Sequence, residues 1–487
     1  MKALSFGVFD MMNPSNGMPT WTHPNGRADK YTDVGYWVMV SKMLEEAGFD
    51  FLFFADTYGY PTIDGELPEQ VAASGIQFPA VDPMLIIAAL AQATSTLGFV
   101  VTSPTTVEKP YASARRYASL DHYTDGRIGW NIVTGSSQST VDPLFGVTEQ
   151  TTHDSRYDIG DEFVDISLAL WEGGWDDDAL VMDRERGVLV DPARLHRTEY
   201  TGEYLRTSGY FAVPPSRQRS PVLFQAGTST RGRAFAARNA EVVLIQGQTI
   251  EKAAAHVTEI RDLAESHGRR RDDIKIITGV TVVVAPTSEE AAARRAELEA
   301  LYVVDDAAVI YAGFTGVDYR GVDPTTPLVA ATSDQGQTLV DRFAAPGDRV
   351  PTVGDVLESF RLKANRGFQV TGDPIEVAEQ LIAIVDGSDV DGFMIEPTFG
   401  DELAYSEFIA QVLPILAKRG YVAPRADGLT LRERLFEEGR SRLPDSHPGA
   451  RFRHVLAPTV PDVRITTTGT SSDHRTGSIH RNSRENP

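Results

Sequence analysis

Cysteine is absent from all 487 residues. That excludes disulfides, thiolate metal sites and a cysteine nucleophile. Positive charge is scarce: 46 Lys and Arg stand against 68 Asp and Glu, a formal net charge of −22. Such a balance argues against nucleic acid or an anionic membrane as the partner. No apolar stretch approaches the roughly 20 residues needed to cross a bilayer. The start, Met1-Lys2-Ala3-Leu4, lacks the apolar core and cleavage site of a signal peptide. The expectation is a cytoplasmic protein. Chemical signatures are missing as well. No strand is followed by GxGxxG, and there is no GxxxxGK[ST] and no HExxH. The ten histidines do not group as a metal site. Gly135-Ser136-Ser137-Gln138-Ser139 is not a GxSxG nucleophile elbow.

What is present is an alternation. Eight short apolar runs occur at Leu4–Phe9, Asp50–Ala55, Leu97–Thr102, Arg127–Val133, Pro221–Ala226, Glu241–Gln246, Ile274–Val284 and Asp391–Glu396, with helix-like stretches between them. Most do not alternate with polar residues, which suits strands buried on both faces of a parallel sheet. Eight strands separated by helices predict an α/β fold, a (β/α)8 TIM barrel, with its chemistry at the C-terminal ends of the strands. Two gaps exceed a minimal barrel. Residues 172–220 read as an inserted excursion. Residues 285–368 read as a charged helix, about Ser288–Tyr302, followed by loops. Long insertions on a barrel normally serve the active-site face. The expected organisation is a barrel over 1–425, a C-terminal extension over 426–456 with Thr430 as a helix N-cap, and a disordered tail over 457–487.

The strand ends carry small hydroxyl and amide residues. The third run ends at Thr102-Ser103-Pro104, the fourth at Asn131-Ile132-Val133-Thr134, and the fifth at Ala226-Gly227-Thr228-Ser229-Thr230-Arg231-Gly232, directly ahead of a helix. Backbone N–H groups at a helix start, joined by Ser and Thr hydroxyls, seat a phosphate. The fifth turn, with Arg231 nearby, is the best such candidate. An ordinary βα turn with a Ser or Thr N-cap fits it equally well. Asp56 follows the second run and could accept hydrogen bonds from a ring N–H or a hydroxyl; capping a helix or pairing with an arginine is the alternative. His153 and Tyr157, four residues apart, fall on one helical face. Trp21 and His23 lie in the long loop after the first strand, where they could wall a pocket.

The segment from Arg116 through Tyr117-Ala118-Ser119-Leu120-Asp121-His122-Tyr123-Thr124-Asp125-Gly126-Arg127-Ile128-Gly129-Trp130-Asn131 to Thr134 resembles a hallmark of bacterial-luciferase-like flavin monooxygenases. Phe54-Ala55-Asp56, His153-Asp154-Ser155-Arg156-Tyr157, Phe224–Gly232 and Asp391-Gly392-Phe393 match in family order. The resemblance is to the group of nitrilotriacetate, dibenzothiophene-sulfone and dimethyl-sulfide monooxygenases. Phe9-Asp10-Met11, Thr20–Pro24 and His447–Arg453 are most similar to the dimethyl-sulfide branch. The resemblance implies a barrel that takes FMN as FMNH2 from a separate NAD(P)H:flavin reductase, uses O2 as co-substrate, and oxygenates a small organosulfur molecule such as dimethyl sulfide. A sulfone, an aminopolycarboxylate or another xenobiotic is the alternative within the group, and a non-flavin phosphate-binding barrel enzyme the alternative outside it. By family position Asp56, Thr102, His153, Tyr157 and Ser229 would contact FMN, with Asn131, Ala226, Gly227 and Thr228 as neighbours. His23 and His153 are the candidates for steering protons. No metal is implied, and a homo-oligomer is. A dimethyl sulfide pocket should be apolar, drawing on Phe6, Phe9, Trp21 and Phe54. Residues 1–60 offer only Lys2, Arg27, Lys30 and Lys42, which disfavours a polycarboxylate substrate.

Overall fold

All eight apolar runs form strands, and they close on themselves. In the computed structural model these are β1 (Ser5–Asp10), β2 (Phe51–Phe54), β3 (Gly98–Pro104), β4 (Ile128–Val133), β5 (Val222–Gln225), β6 (Val242–Ile245), β7 (Lys275–Val284) and β8 (Gly392–Glu396). Each pairs in parallel with the next, and β8 pairs back onto β1, with Ser5 opposite Gly392 and Val8 opposite Ile395. This is a closed (β/α)8 barrel. The structure describes residues 3–454 apart from 16, 136–137, 148–151, 228, 329–339, 341–349, 364–365, 400–401 and 424–425. Thr228 and the 457–487 tail therefore lie outside the described residues. Among those described, no helix is long and apolar enough to cross a membrane.

The shell helices start and stop where local chemistry requires. They include α1 (Val34–Glu46), α2 (Ile87–Ala93), α3 (Pro110–Tyr123), α4 (His153–Gly173), α5 (Thr230–Asn239), α6 (Ile250–Ser266) and α7 (Pro374–Ser388). Asp33, Thr152, Ser229, Thr249 and Asp373 each accept a backbone N–H in the first turn of the helix that follows, satisfying a donor the helix cannot. Outward-facing strand residues pack on these helices. Phe6 and Phe54 are among them, packed in the main core with Trp37, Phe49 and Phe408. The expectation that Phe6 and Phe54 line the substrate pocket is therefore wrong: the strand pleat turns both towards the helices.

The alternate residues fill the barrel. Phe51, Phe53, Val100, Phe224, Leu244, Ile277 and Met394 form a separate apolar cluster. Gly7 makes room for it, since a Cβ there would fall 2.2 Å from the Phe51 ring. The N-terminal end of the cluster is closed by Leu431 and Leu435 from a short helix, Leu431–Leu435, which Thr430 and Glu433 start with a reciprocal capping box. Between those leucines, Arg432 enters a fully buried position. Its Nε and Nη2 donate to Glu241 at 2.7 and 3.0 Å, and its Nη atoms reach the carbonyls of Gln218, Ser220, Pro221 and Ser441.

The two insertions lie on opposite ends. Residues 172–220 leave the end of α4 and return to the start of β5, so they belong to an αβ connection at the plugged end. Their hairpin, Arg197–Thr201 with Arg206–Tyr210, is held along α4 by Glu162, whose carboxylate accepts the N–H groups of Glu203, Tyr204 and Leu205. This corrects the expectation that it serves the active-site face. Residues 285–368 leave the C-terminal end of β7 and do reach that face. They contain helices Ser288–Leu301, Val304–Thr315 and Val353–Lys363 and run into a strand, Phe368–Gly372. That strand pairs with Val280–Val284 along the edge of β7 that β6 leaves free. Helix Val304–Thr315 replaces an expected loop. It is buried nearly all round and so shows no amphipathic period. Its Ile310 and Tyr311 pack with Met18, Val71, Ile76 and Phe399 in a cluster apart from the main core. The insertion and the loops after β1 and β2 thus form one roof over the open mouth.

Arg432→Met should leave Glu241 buried and unpaired and cost about 3–5 kcal/mol of stability. Urea unfolding followed by Trp fluorescence checks this. Pairing the change with Glu241→Leu should recover most of the loss.

Candidate active site

At the open mouth the inward-facing positions change from apolar to polar. On β3 and β4, Thr102 Oγ1 donates to the Phe54 carbonyl at 3.0 Å and accepts from Asn131 Nδ2 at 2.9 Å. Both residues are buried, yet Asn131 Oδ1 has no partner among the described residues. A buried amide oxygen left without a donor is costly, so this atom is poised for a ligand N–H.

The turn after β5 meets the start of α4. Ser229 caps α5, its Oγ accepting Gly232 N–H at 3.0 Å. Gly227 and Gly232 face the Tyr157 hydroxyl: a Cβ would come within 3.0 Å of it at Gly227 and 2.6 Å at Gly232. The glycines keep open a cradle at the positive end of α5, where an anion is favoured. Gln225 Oε1 orients the turn by accepting Gly227 N–H at 2.6 Å. Ala226 is exposed at the rim. Arg231 lies near the cradle, its guanidinium 5.5 Å from the Tyr157 ring centroid. It is bound to Asp158 and Asp161 of α4 at 2.8 and 2.7 Å. The charge favouring an anion therefore comes from the helix terminus. His153 and Tyr157 do share a face, with ring centroids 5.2 Å apart. His153 Nδ1 lies 2.9 Å from Asp154, and the side chain is one-third exposed.

Asp56, just beyond β2, neither caps a helix nor pairs with an arginine among the described residues. Burial and the nearby Asp82 carboxylate push its carboxyl up to about 7, against the hydrogen bond from Thr57 N–H. It is thus close to half-protonated at neutrality, able both to donate and to accept. Next to it Tyr58 donates to Glu108 at 2.8 Å, an oxygen it shares with Arg116.

His23 sits apart from this group, in the roof. Its ring packs on Phe399 at 4.4 Å, its Nδ1 accepts Asn25 N–H, and its Nε2 is 3.4 Å from Glu297 of the insertion. Trp21 is exposed and donates to the Ser74 carbonyl. No group of His, Asp and Glu among the described residues could hold a metal. Motif reading missed Gln225 as part of the cradle, and Gln246 and Thr281 on the opposite wall beside the strand-end carboxylate Glu396. The signal for the last three is a polar residue inside or at the end of an apolar run, as it is for Thr102 and Asn131.

A (β/α)8 barrel with a glycine-lined helix start after β5 and an unmet acceptor at the β3–β4 mouth is an architecture that suits a phosphate-bearing cofactor. Residues 6–391 match the model of the luciferase-like monooxygenases, and the chain belongs to that family. It is 36% identical to the dimethyl-sulfide monooxygenase of Hyphomicrobium sulfonivorans over 461 residues, covering 93% of this chain and 94% of that one. It is 34% identical to the long-chain alkane monooxygenase of Geobacillus thermodenitrificans, covering 89% and 94%. A solved riboflavin lyase, crystallised with modified FMN and riboflavin, superposes with a TM-score of 0.89 at 40% identity, covering 93% of this chain and all of that one. The cradle, the helix terminus and the unmatched Asn131 oxygen fit a flavin nucleotide, which brings a phosphate and a ring N–H.

Gly232→Ala should weaken flavin binding at least tenfold, because its Cβ displaces the Tyr157 hydroxyl; Trp fluorescence titration reads this directly. Asp56 gives a pH signature. A carboxyl raised in the folded chain resists ionisation there, so stability is present near pH 4 and lost as pH climbs to about 7. Asp56→Asn removes that part of the slope, on the order of 2 kcal/mol between pH 5 and 8. Parallel stability–pH profiles for the two proteins would show that Asp56 does not titrate in this range.

Proposed function

We propose that this chain is the oxygenase component of a two-component system. A separate NAD(P)H:flavin reductase supplies FMNH2, and one atom of O2 enters a small organic substrate. The cradle at the start of α5 is the observation that carries this reading, taken together with membership of a monooxygenase family. The absence of GxGxxG agrees with a nicotinamide cofactor acting elsewhere.

In this reading Ser229, the α5 N-terminus and the Tyr157 hydroxyl would hold the phosphate, with Ala226 and Gly227 in the turn. Thr102, Asn131 and Asp56 hold the ring system. Bound reduced flavin supplies the electrons that activate O2. The protein would position the ring and exclude water, a task that suits helices Ser288–Leu301, Val304–Thr315 and Val353–Lys363 and the β1 and β2 loops. His153, packed against Tyr157, is placed to hold or pass a proton at the rim. His23, in the roof, holds that roof to Glu297 and Phe399 and is a weaker candidate for proton steering.

An organosulfur substrate such as dimethyl sulfide is supported by the likeness to dimethyl-sulfide monooxygenase. Phe6 and Phe54 do not contribute to its pocket, and Gln246, Thr281 and Glu396 make one wall polar. That polar wall favours a second reading, an organic molecule with hydrogen-bonding groups, of which riboflavin is an example through the likeness to riboflavin lyase.

The test is a coupled assay of purified protein, FMN, NADH and an unrelated flavin reductase under air, with sulfides, sulfones, alkanes, aminopolycarboxylates and riboflavin. Substrate-dependent product that vanishes without reductase is expected. Failure to bind FMNH2 in an anaerobic titration sinks the proposal and restores the non-flavin barrel enzyme. In the same assay His153→Ala should lower product per FMNH2 severalfold and release more hydrogen peroxide. An unchanged yield removes His153 from the proton path.

A further inference from the structure

Across the barrel from Asn131 a second polar group occupies the inner wall, apart from the residues assigned above to the flavin. Glu396 ends β8 and points inward at 5% exposure. Its Oε2 accepts Thr281 Oγ1 at 2.9 Å and its Oε1 accepts Gln246 Nε2 at 3.3 Å. Gln246 follows β6, and its Oε1 has no partner among the described residues. Gly279, mid-strand in β7, makes the space: a Cβ there would lie 2.5 Å from Gln246 Oε1 and 2.6 Å from Glu396 Oε1. Glycine inside a strand weakens it and marks a close approach. Arg366 places a positive charge near Glu396 while donating to the Tyr302 hydroxyl at 3.0 Å. Burial holds the Glu396 carboxyl above its usual range, against Arg366, Thr281 and Gln246.

A purely structural wall would not be built this way. Immediately below lie Met394, Leu244 and Ile277, and apolar residues would extend that packing without burying a carboxyl and a half-satisfied amide. Such departures from packing logic concentrate at functional sites. The unmet valence, the buried Gln246 Oε1, is an acceptor. The wall therefore suits a ligand that brings a donor, and a carboxylate beside an unpaired carbonyl oxygen disfavours an anion.

We propose that Gln246 and Glu396 form the substrate-side subsite of the mouth and select an uncharged substrate bearing an N–H or O–H donor, over wholly apolar molecules and over polyanions. This rests on the monooxygenase reading and narrows its substrate class. The likeness to enzymes of alkanes and dimethyl sulfide does not require such a subsite; the unpaired Gln246 oxygen does.

Two matched pairs test it in the reductase-coupled assay with the full chain: dimethyl sulfide against 2-(methylthio)ethanol, and n-octane against 1-octanol, with methylthioacetate as the anionic control. Each is read by substrate-dependent O2 consumption and product. The hydroxyl-bearing member of at least one pair should show a KM at least tenfold below its parent, and methylthioacetate should show no such gain. Gln246→Leu, which keeps volume but removes the acceptor, should erase the difference, as should Glu396→Ala. FMNH2 affinity should stay within twofold in both variants, which also certifies that they fold. Equal KM values within both pairs, or a preference that survives Gln246→Leu, overturns the subsite. So does FMNH2 binding with no response to any probe. Absence of FMNH2 binding in the unaltered protein overturns the monooxygenase reading itself.

Discussion

A closed parallel barrel has two ends, and only one can be left open without exposing its apolar filling to water. Arg432 settles which. Its guanidinium, buried without exposure, is paired with Glu241 and spread over four backbone carbonyls. The pair is there less for its own energy, which desolvation largely offsets, than for what it locates. It fixes Leu431 and Leu435 against the lower layer of barrel side chains. With that end sealed, the inward-facing residues at the other end are free to be polar. Every candidate group of the active site depends on that division.

A comparable device holds the open end. Asp10, at the tip of β1, accepts Arg27 Nη1 at 2.6 Å and the Tyr405 hydroxyl at 3.1 Å, while Arg27 stacks over Trp37. The long loop after β1 is thereby tied back to its own strand and to the chain after β8. Burial and the Asp10 carboxylate, against Arg27, raise the Tyr405 hydroxyl well above its usual range, so it stays a donor at any working pH. The roof thus rests on a fixed footing.

How far the sequence carries follows from the barrel's physics. All eight strands are legible because strands buried on both faces read as unbroken apolar runs. The same property hides the pleat. In Phe51-Leu52-Phe53-Phe54 nothing in the composition says that Phe51 and Phe53 fill the barrel while Phe54 meets the helices. That is why Phe6 and Phe54 are misplaced by sequence reading. A polar residue breaks the symmetry, and Thr102 and Asn131 are correctly read as facing the mouth. Arg231 is read as near the turn, but its partners Asp158 and Asp161 are not legible, because they lie some 70 residues away on α4. The face served by residues 172–220 follows from whether an insertion succeeds a helix or a strand, a rule of topology that its composition does not express.

The plug has a consequence for the order of events during synthesis. Residues 431–435 follow all eight strands in the chain. A nascent barrel can therefore pair every strand, β8 onto β1 included, while its lower layer of Phe51, Val222 and Val242 is still wet. The transition from a hydrogen-bonded ring to a dry interior waits for a five-residue helix made after β8. Until then the emerging barrel is roofed at one end and unsealed at the other, and the seal is made only after all eight strands.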